Sequence, residues 1–260
     1  MRADGGGVAF DSGTQITDPQ LKTNNAIIGY ARVIDLWGMS GKIDAIVPYS
    51  WLSGTAQFRG QPVEREVDGL MDPKFRLSVN FYGAPALALK DFRNYRQDLI
   101  VGASLQVGAP LGQYDDSKIV NLGLNRWSFK PELGVSKAIG HWIVEGKLSA
   151  TAFTDNKDFF GGSTRSQDPI YATQVNAIYG FPSGIWASVD VVYFTGGRTT
   201  LDGVRGNDLQ QNWRVGATLA FPVDARNSIK VNASSGFSAR TQNNYDLIGV
   251  AWQYRWGGGL

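Results

Sequence analysis

The chain contains no cysteine and a single histidine, His141, among its 260 residues. Without thiols there is no disulfide framework and no thiolate zinc site. With one imidazole a histidine metal cluster is excluded, and any histidine-dependent catalysis must run through His141. The lack of cysteine also suits an oxidising compartment, where a stray thiol is a liability. Charge is sparse as well. Asp, Glu, Lys and Arg make up 18% of the residues, below the usual quarter. With 25 basic and 23 acidic residues the net charge is only +2, so the basic excess of a nucleic-acid binder is missing. No run of about 18 apolar residues exists, and hence no transmembrane helix. The opening Met1–Gly7 is not followed by the apolar stretch of a signal peptide.

Glycine and aromatic residues are plentiful. There are 32 glycines and 8 tryptophans, and aromatics reach 12%, which excludes a disordered chain. Almost nothing has helical period. Apolar and polar residues instead alternate with period 2, the mark of strands. The alternation is clear at 71–81, 98–108, 125–137, 142–154, 169–181, 185–195, 211–221, 228–237 and 246–256, and less regular at 25–36 and 40–51. That gives about eleven strands, enough for a sheet to close or split.

Which face points inward decides between a soluble and a membrane barrel, and three features favour the membrane. The polar face is Ser, Thr, Gly, Asn and Gln with few charges, whereas a soluble exterior is more heavily charged. Aromatics sit near the ends of the apolar faces, among them Trp127, Trp142, Tyr171, Tyr179, Phe181, Tyr193, Trp213, Phe221, Trp252 and Trp256, as in the girdles at a lipid interface. Connection lengths alternate. Links at 37–39, 138–140, 182–184 and 222–227 are short, and those at 53–69, 109–123, 155–167 and 196–208 are long and polar. The 82–97 link carries a helical turn at the tight-turn rim, and 238–243 is a short link on the long-loop side. The expected fold is all-β, an antiparallel transmembrane β-barrel of about 12 strands, of which about 11 are visible.

Such barrels have even strand counts and both termini on the tight-turn side. Eleven strands therefore leave one missing, either lost with a signal peptide or lying in residues 1–23, where only Gly7–Phe10 could serve. The expected organisation is an incomplete N-terminal segment at 1–23, the barrel at 24–256 and a tail at 257–260. The expected location is the cell outer membrane, with lipid as the surround.

Several stretches resemble one family. The most specific is Asn121–Ser136, NLGLNRWSFKPELGVS. Gly69–Pro73, Arg76–Asn80, Gly83–Leu87, Ala109–Tyr114, Phe153–Asn156, Gln167–Pro169, Tyr193 with Gly196–Gly197, and Trp252–Trp256 agree with it. Over about 25–256 the chain resembles the outer-membrane proteins of the phenol meta-cleavage pathway, often called simply transporters. The resemblance implies an outer-membrane β-barrel with passage of hydrophobic or aromatic compounds, and no agreed binding residues. The chain departs from the family at its N-terminus and in the Gly257–Leu260 tail.

The polar face assigns candidate lumen charges: Arg76, Arg126, Lys130, Glu132, Glu145, Lys147, Asp190, Arg214, Lys230 and Arg255. The neighbouring strands 125–137 and 142–154 are expected to set Lys130 and Glu132 opposite Glu145 and Lys147. Such charges would set selectivity or simply pair and fill the lumen. Phe153, Ile170, Ile178, Trp186, Val192 and Phe194 fall in the same register and form an apolar patch that could seat a hydrophobic or aromatic solute, or plug the lumen. The alternatives are a lipid-modifying enzyme and a structural barrel with a plugged lumen. A hydrolase on outer-leaflet lipid would need its histidine at the opposite rim or on the barrel wall, so His141, in a tight turn, reads as a turn or interface residue and no catalytic residue is assigned. Asp115–Asp116 and Asp155–Asp158 lack the spacing of a calcium loop. Gly196–Arg198 is no phosphate loop, because no helix follows. No metal, cofactor or nucleic acid is expected.

Overall fold

A computed structural model describes residues 2–4, 16–92, 94–238 and 244–257. Among the described residues there are seventeen strands: β1 (Arg2–Asp4), β2 (Ile16–Leu36), β3 (Met39–Phe58), β4 (Gln61–Leu70), β5 (Lys74–Tyr82), β6 (Leu99–Gly108), β7 (Ser128–Ile139), β8 (Trp142–Phe153), β9 (Asn156–Phe159), β10 (Ser163–Gln167), β11 (Ile170–Gly180), β12 (Trp186–Gly196), β13 (Thr199–Leu201), β14 (Val204–Arg205), β15 (Gln210–Pro222), β16 (Asn227–Ser238) and β17 (Asn244–Tyr254). A short α-helix, α1 (Leu89–Phe92), lies in the 82–97 link, where a rim helical turn is expected from the sequence, and a single 3-10 turn lies at Phe160–Gly162.

The main sheet has 13 strands, all paired antiparallel. Eleven of them run in sequence from β2 through β3, β5, β6, β7, β8, β11, β12, β15 and β16 to β17. β1 bridges β17 and β2 at the long-loop end through three residues, with Arg2 opposite Asp246 on β17 and opposite Lys22 on β2, so the curled sheet is joined there along only a short part of the β2 and β17 edges. The twelfth strand is thus Arg2–Asp4, and the candidate Gly7–Phe10 lies outside the described residues. The sheet also takes in residues before 24, since β2 begins at Ile16.

β4 stands outside the ring. β3 is 20 residues long; its first part pairs with β5 and its second part with β4. β4 and β5 therefore form one interrupted strand, broken at Met71–Pro73. The stretch 53–69, expected as a loop, is instead this hairpin, which carries the sheet past the membrane belt. Its outward face holds Glu64, Glu66 and Asp68, and the charges there hide the alternation. Its turn, Arg59–Gly60, has φ of 52° and 75°, and the turns Trp37–Gly38 and Asp202–Gly203 share this left-handed pairing. Such turns match the right-handed twist of the flanking strands.

The apolar register faces outward. Leu133 on β7 and Leu148 on β8 lie opposite each other and are 59% and 60% exposed, alongside exposed Val135, Val144, Val175, Val189, Val215 and Val231. A belt of this kind is stable only against lipid. Aromatics bound it on both sides. Tyr193 and Trp213 meet at 4.7 Å near the long-loop rim, and Trp142, Tyr179 and Phe181 stack edge-on at 4.9 and 4.8 Å near the tight-turn rim.

The belt predicts an asymmetric response to charge. Leu148→Arg, facing lipid, should lower unfolding stability in vesicles by about 2–4 kcal/mol, whereas Ser149→Arg, facing the lumen, should not. Urea titration followed by tryptophan fluorescence measures both. Equal losses would contradict the assignment of faces.

Candidate conduction lumen

The inward register is polar. Across β8, β11, β12, β15 and β16, one row of opposed residues reads Lys147, Gln174, Val192, Arg214 and Gly236, and the next reads Glu145, Asn176, Asp190, Gly216 and Ser234. Two of the charged side chains, Asp190 and Arg214, lie over cross-strand glycines, Gly216 and Gly236. A Cβ on Gly216 would meet the Asp190 Oδ1 at 2.6 Å, and one on Gly236 would meet the Arg214 Nη1 at 3.0 Å. Bulkier residues there would push the carboxylate and guanidinium toward the axis.

The expected cross-strand ion pairs are not formed as anticipated. Glu132 lies opposite Ser149, Lys147 opposite Gly134, and Glu145 opposite Ser136. Alternation fixes the face of each residue but not the register between strands, and the turn at Gly140–His141 offsets the charges. Lys130 pairs instead with Glu132 on its own strand at 3.6 Å, and the Glu145 Oε2 accepts from the Asn176 Nδ2 at 3.0 Å. The Arg76 Nη2 donates to the Gln106 Oε1 at 2.8 Å. Lys42 and Asp44 on β3 add a pair at 3.2 Å that the sequence pattern did not single out. Lys230 sits low on β16, and Arg255 follows β17 at the tight-turn rim. Cations outnumber carboxylates along this wall.

Arg126 differs from the others. It precedes β7 and is only 5% exposed. Its guanidinium lies 4.4 Å from the Phe153 ring centroid and donates through Nη2 to the Gln167 side chain; Nη1 is buried without a partner. Gln167 in turn donates to the Gly197 carbonyl at 2.8 Å. Burial, and next the nearby Arg165, push the Arg126 pKa down to about 10, which leaves it cationic at neutral pH. Arg126 is therefore part of the junction between wall and extracellular loops rather than a wall charge.

Those loops are built, not loose. β9, β10, β13 and β14 form a separate four-stranded sheet at the long-loop rim. Three polar knots secure the rim, those at Asn156 and Asp208 buried and that at Asp72 half-buried. Asp72, in the break between β4 and β5, accepts from the Gly112 N–H at 2.9 Å and the Leu124 N–H at 2.8 Å. Side chains on Gly112 or Gly123 would collide with it. Asn156 donates to the Tyr114 hydroxyl at 2.8 Å and accepts from the Asn125 amide at 3.0 Å. Asp208 accepts from both the N–H and the hydroxyl of Thr199, at 2.9 and 2.7 Å. Beside them Leu21, Leu52, Val67 and Leu122 make a small apolar core, with Tyr245 of β17 packed against it. Neither the knots nor the lid strands are visible as patterns in the sequence. The strands are too short to alternate, and an Asp before Pro signals only a break.

The apolar lumen patch is divided. Phe194 lies opposite Ala172, and Ile170 opposite Gly196, toward the long-loop end, where Phe153 closes β8. Ile178 and Trp186 lie toward the other end. The polar rows of Gln174, Asn176 and Asp190 separate the two groups, with Val192 at their upper edge. His141 is exposed in its tight turn, its ring 5.9 Å from that of Tyr179. Asp115 accepts from the Ser117 hydroxyl and N–H, which holds its pKa below the usual carboxylate value.

An antiparallel ring with an apolar, aromatic-bounded belt and a polar interior is the fold of an outer-membrane β-barrel. The chain belongs to the family described as "Putative MetA-pathway of phenol degradation", whose model matches residues 5–254. Among solved structures it is similar to the COG4313 outer membrane channel from Pseudomonas putida F1, with a TM-score of 0.76 and 20% identity over 91% of this chain and 84% of that one. It is also similar to the transport unit of the autotransporter AIDA-I from Escherichia coli, with a TM-score of 0.55 and 9% identity over 94% and 86%. Comparison with curated proteins finds no match.

Asp72→Ala should free the 109–127 loop, at about 1.5–3 kcal/mol for each bond lost to the carboxylate. Limited proteolysis should then cut within 109–127 far faster than in the wild type, while the barrel keeps its heat-modifiable migration. An equally protected loop would show that Asp72 does not hold it.

Proposed function

We propose that the protein is an outer-membrane channel for small solutes with hydrophobic or aromatic parts, and that its lumen favours anions. The observation that carries this reading is the inward register: a polar wall on which cations are in excess, with Asp190 and Arg214 laid over glycines. Rings of one charge sign set the sign of the ions a pore passes. The two apolar groups, Phe153, Ile170 and Phe194 above and Ile178 and Trp186 below, supply contact for a solute that has both a polar and an apolar part. Membership of a family described by a phenol-degradation pathway supports an aromatic solute, and the similarity to an outer membrane channel supports passage. In this reading the surround is outer-membrane lipid, and His141 has no catalytic part, so His141→Ala leaves conductance unchanged.

Planar bilayers in a potassium chloride gradient test the reading. Discrete steps are expected, with a reversal potential displaced toward that of chloride. Lys130→Glu combined with Lys147→Glu should move it toward that of potassium. A folded, heat-modifiable barrel with no steps would contradict the channel reading and favour a plugged lumen.

A further inference from the structure

Three cations of the inner wall and mouth each lie on an aromatic ring, at three heights. Arg126 stands 4.4 Å from the Phe153 ring centroid at the long-loop end. Arg214 stands 3.7 Å from that of Tyr245 in the upper wall. Lys230 stands 5.5 Å from that of Trp186 near the tight-turn end. Arg214 and Ala220, the residue facing Lys230, are six positions apart on β15, or roughly 20 Å of strand. The rings belong to different strands, β8, β17 and β12, so no single local motif generates the pattern.

Resting on the channel reading above, we propose that the solute is an aromatic carboxylate and that these three pairs are successive stations for it. A cation on a ring face gains modestly from the quadrupole when water is near. A carboxylate offers the same cation a charge-assisted hydrogen bond, the stronger interaction. The ring attached to that carboxylate can stack on the aromatic that the cation partly gives up. A simple anion meets only the first need, and a neutral ring only the second. Arg126 gives the clearest case, because its Nη1 is buried without an acceptor. Loop rearrangement that admits a carboxylate at Phe153 would supply one. The polar row of Glu145, Asn176 and Asp190 between the Arg214 and Lys230 stations keeps the pathway wet, and multiple weak sites let a bound solute leave as well as enter.

The test uses the whole protein in planar bilayers, with chloride current challenged by benzoate, acetate or benzyl alcohol. Benzoate should reduce the current at a concentration about fivefold or more below acetate, and benzyl alcohol should have little effect, in keeping with the strength of a cation–ring contact. Trp186→Leu and Phe153→Leu keep the cations and remove the rings, so benzoate should fall to the level of acetate while acetate is unchanged. Lys230→Gln keeps the ring and should weaken both anions. If the channel conducts but benzoate and acetate act alike in the wild type, the aromatic carboxylate is wrong and the channel stands. If no current is seen from a folded barrel, the channel reading fails and this inference fails with it.

Discussion

In lipid, every backbone N–H and C=O must find a partner within the protein. That constraint shapes this chain more than any single side-chain contact. It favours strands that curl toward a ring, and the three residues of β1 bridge β17 and β2 at the long-loop end of their edges. Once the ring forms, the period of 2 along each strand does the rest. Alternate residues face hydrocarbon and must be apolar, as at Leu133 and Leu148. Their neighbours face inward and can be polar, as at Glu132 and Ser149. The charges tolerated there are tied down locally, by Lys130 to Glu132 and by Asn176 to Glu145, because an unpaired buried charge is costly.

The long-loop rim follows a different logic. There the chain leaves the belt and the ladder no longer decides its path, so side-chain carboxylates and amides take over. Asp72 turns inward at the only break in the β4–β5 line and fastens a loop some 40 and 52 residues further along the chain. Asn156 and Asp208 do the same for the neighbouring segments. These knots hold the long-loop rim through side-chain bonds rather than through the ladder of the wall. Arg126 sits where lid and wall meet. Its burial without a full set of acceptors is a cost the fold carries at that point, and the mouth is where such a cost can serve a solute.

Much of this was legible in the residues. The belt strands fall within a few positions of the alternating segments; 142–154, for instance, becomes β8 at Trp142–Phe153. The strong period, the aromatic ends and the alternating link lengths all derive from the same lipid constraint, so they agree. What was hidden obeys other rules. The 53–69 stretch looked like a loop because Glu64, Glu66 and Asp68 sit above the lipid, where an outward face need not be apolar. Arg126 shares the polar parity of its neighbours yet lies outside the strand, in a buried junction. Lys130 and Glu132 were expected opposite Glu145 and Lys147, but partner register depends on turn geometry, which parity does not encode. The lumen's candidate residues share one interior, and their division into two apolar groups around a polar band needed the paired strands to become visible.

The central claim is the sense of the barrel, apolar side out and polar side in. The native chain has no cysteine, so single introduced cysteines report without background. The most direct measurement is the reaction of cysteines placed one at a time from 143 to 150 along β8 with a small water-soluble maleimide, in protein reconstituted into vesicles. The account predicts labelling at 145, 147 and 149 and protection at 144, 146 and 148. Uniform labelling, or the opposite alternation, would contradict it.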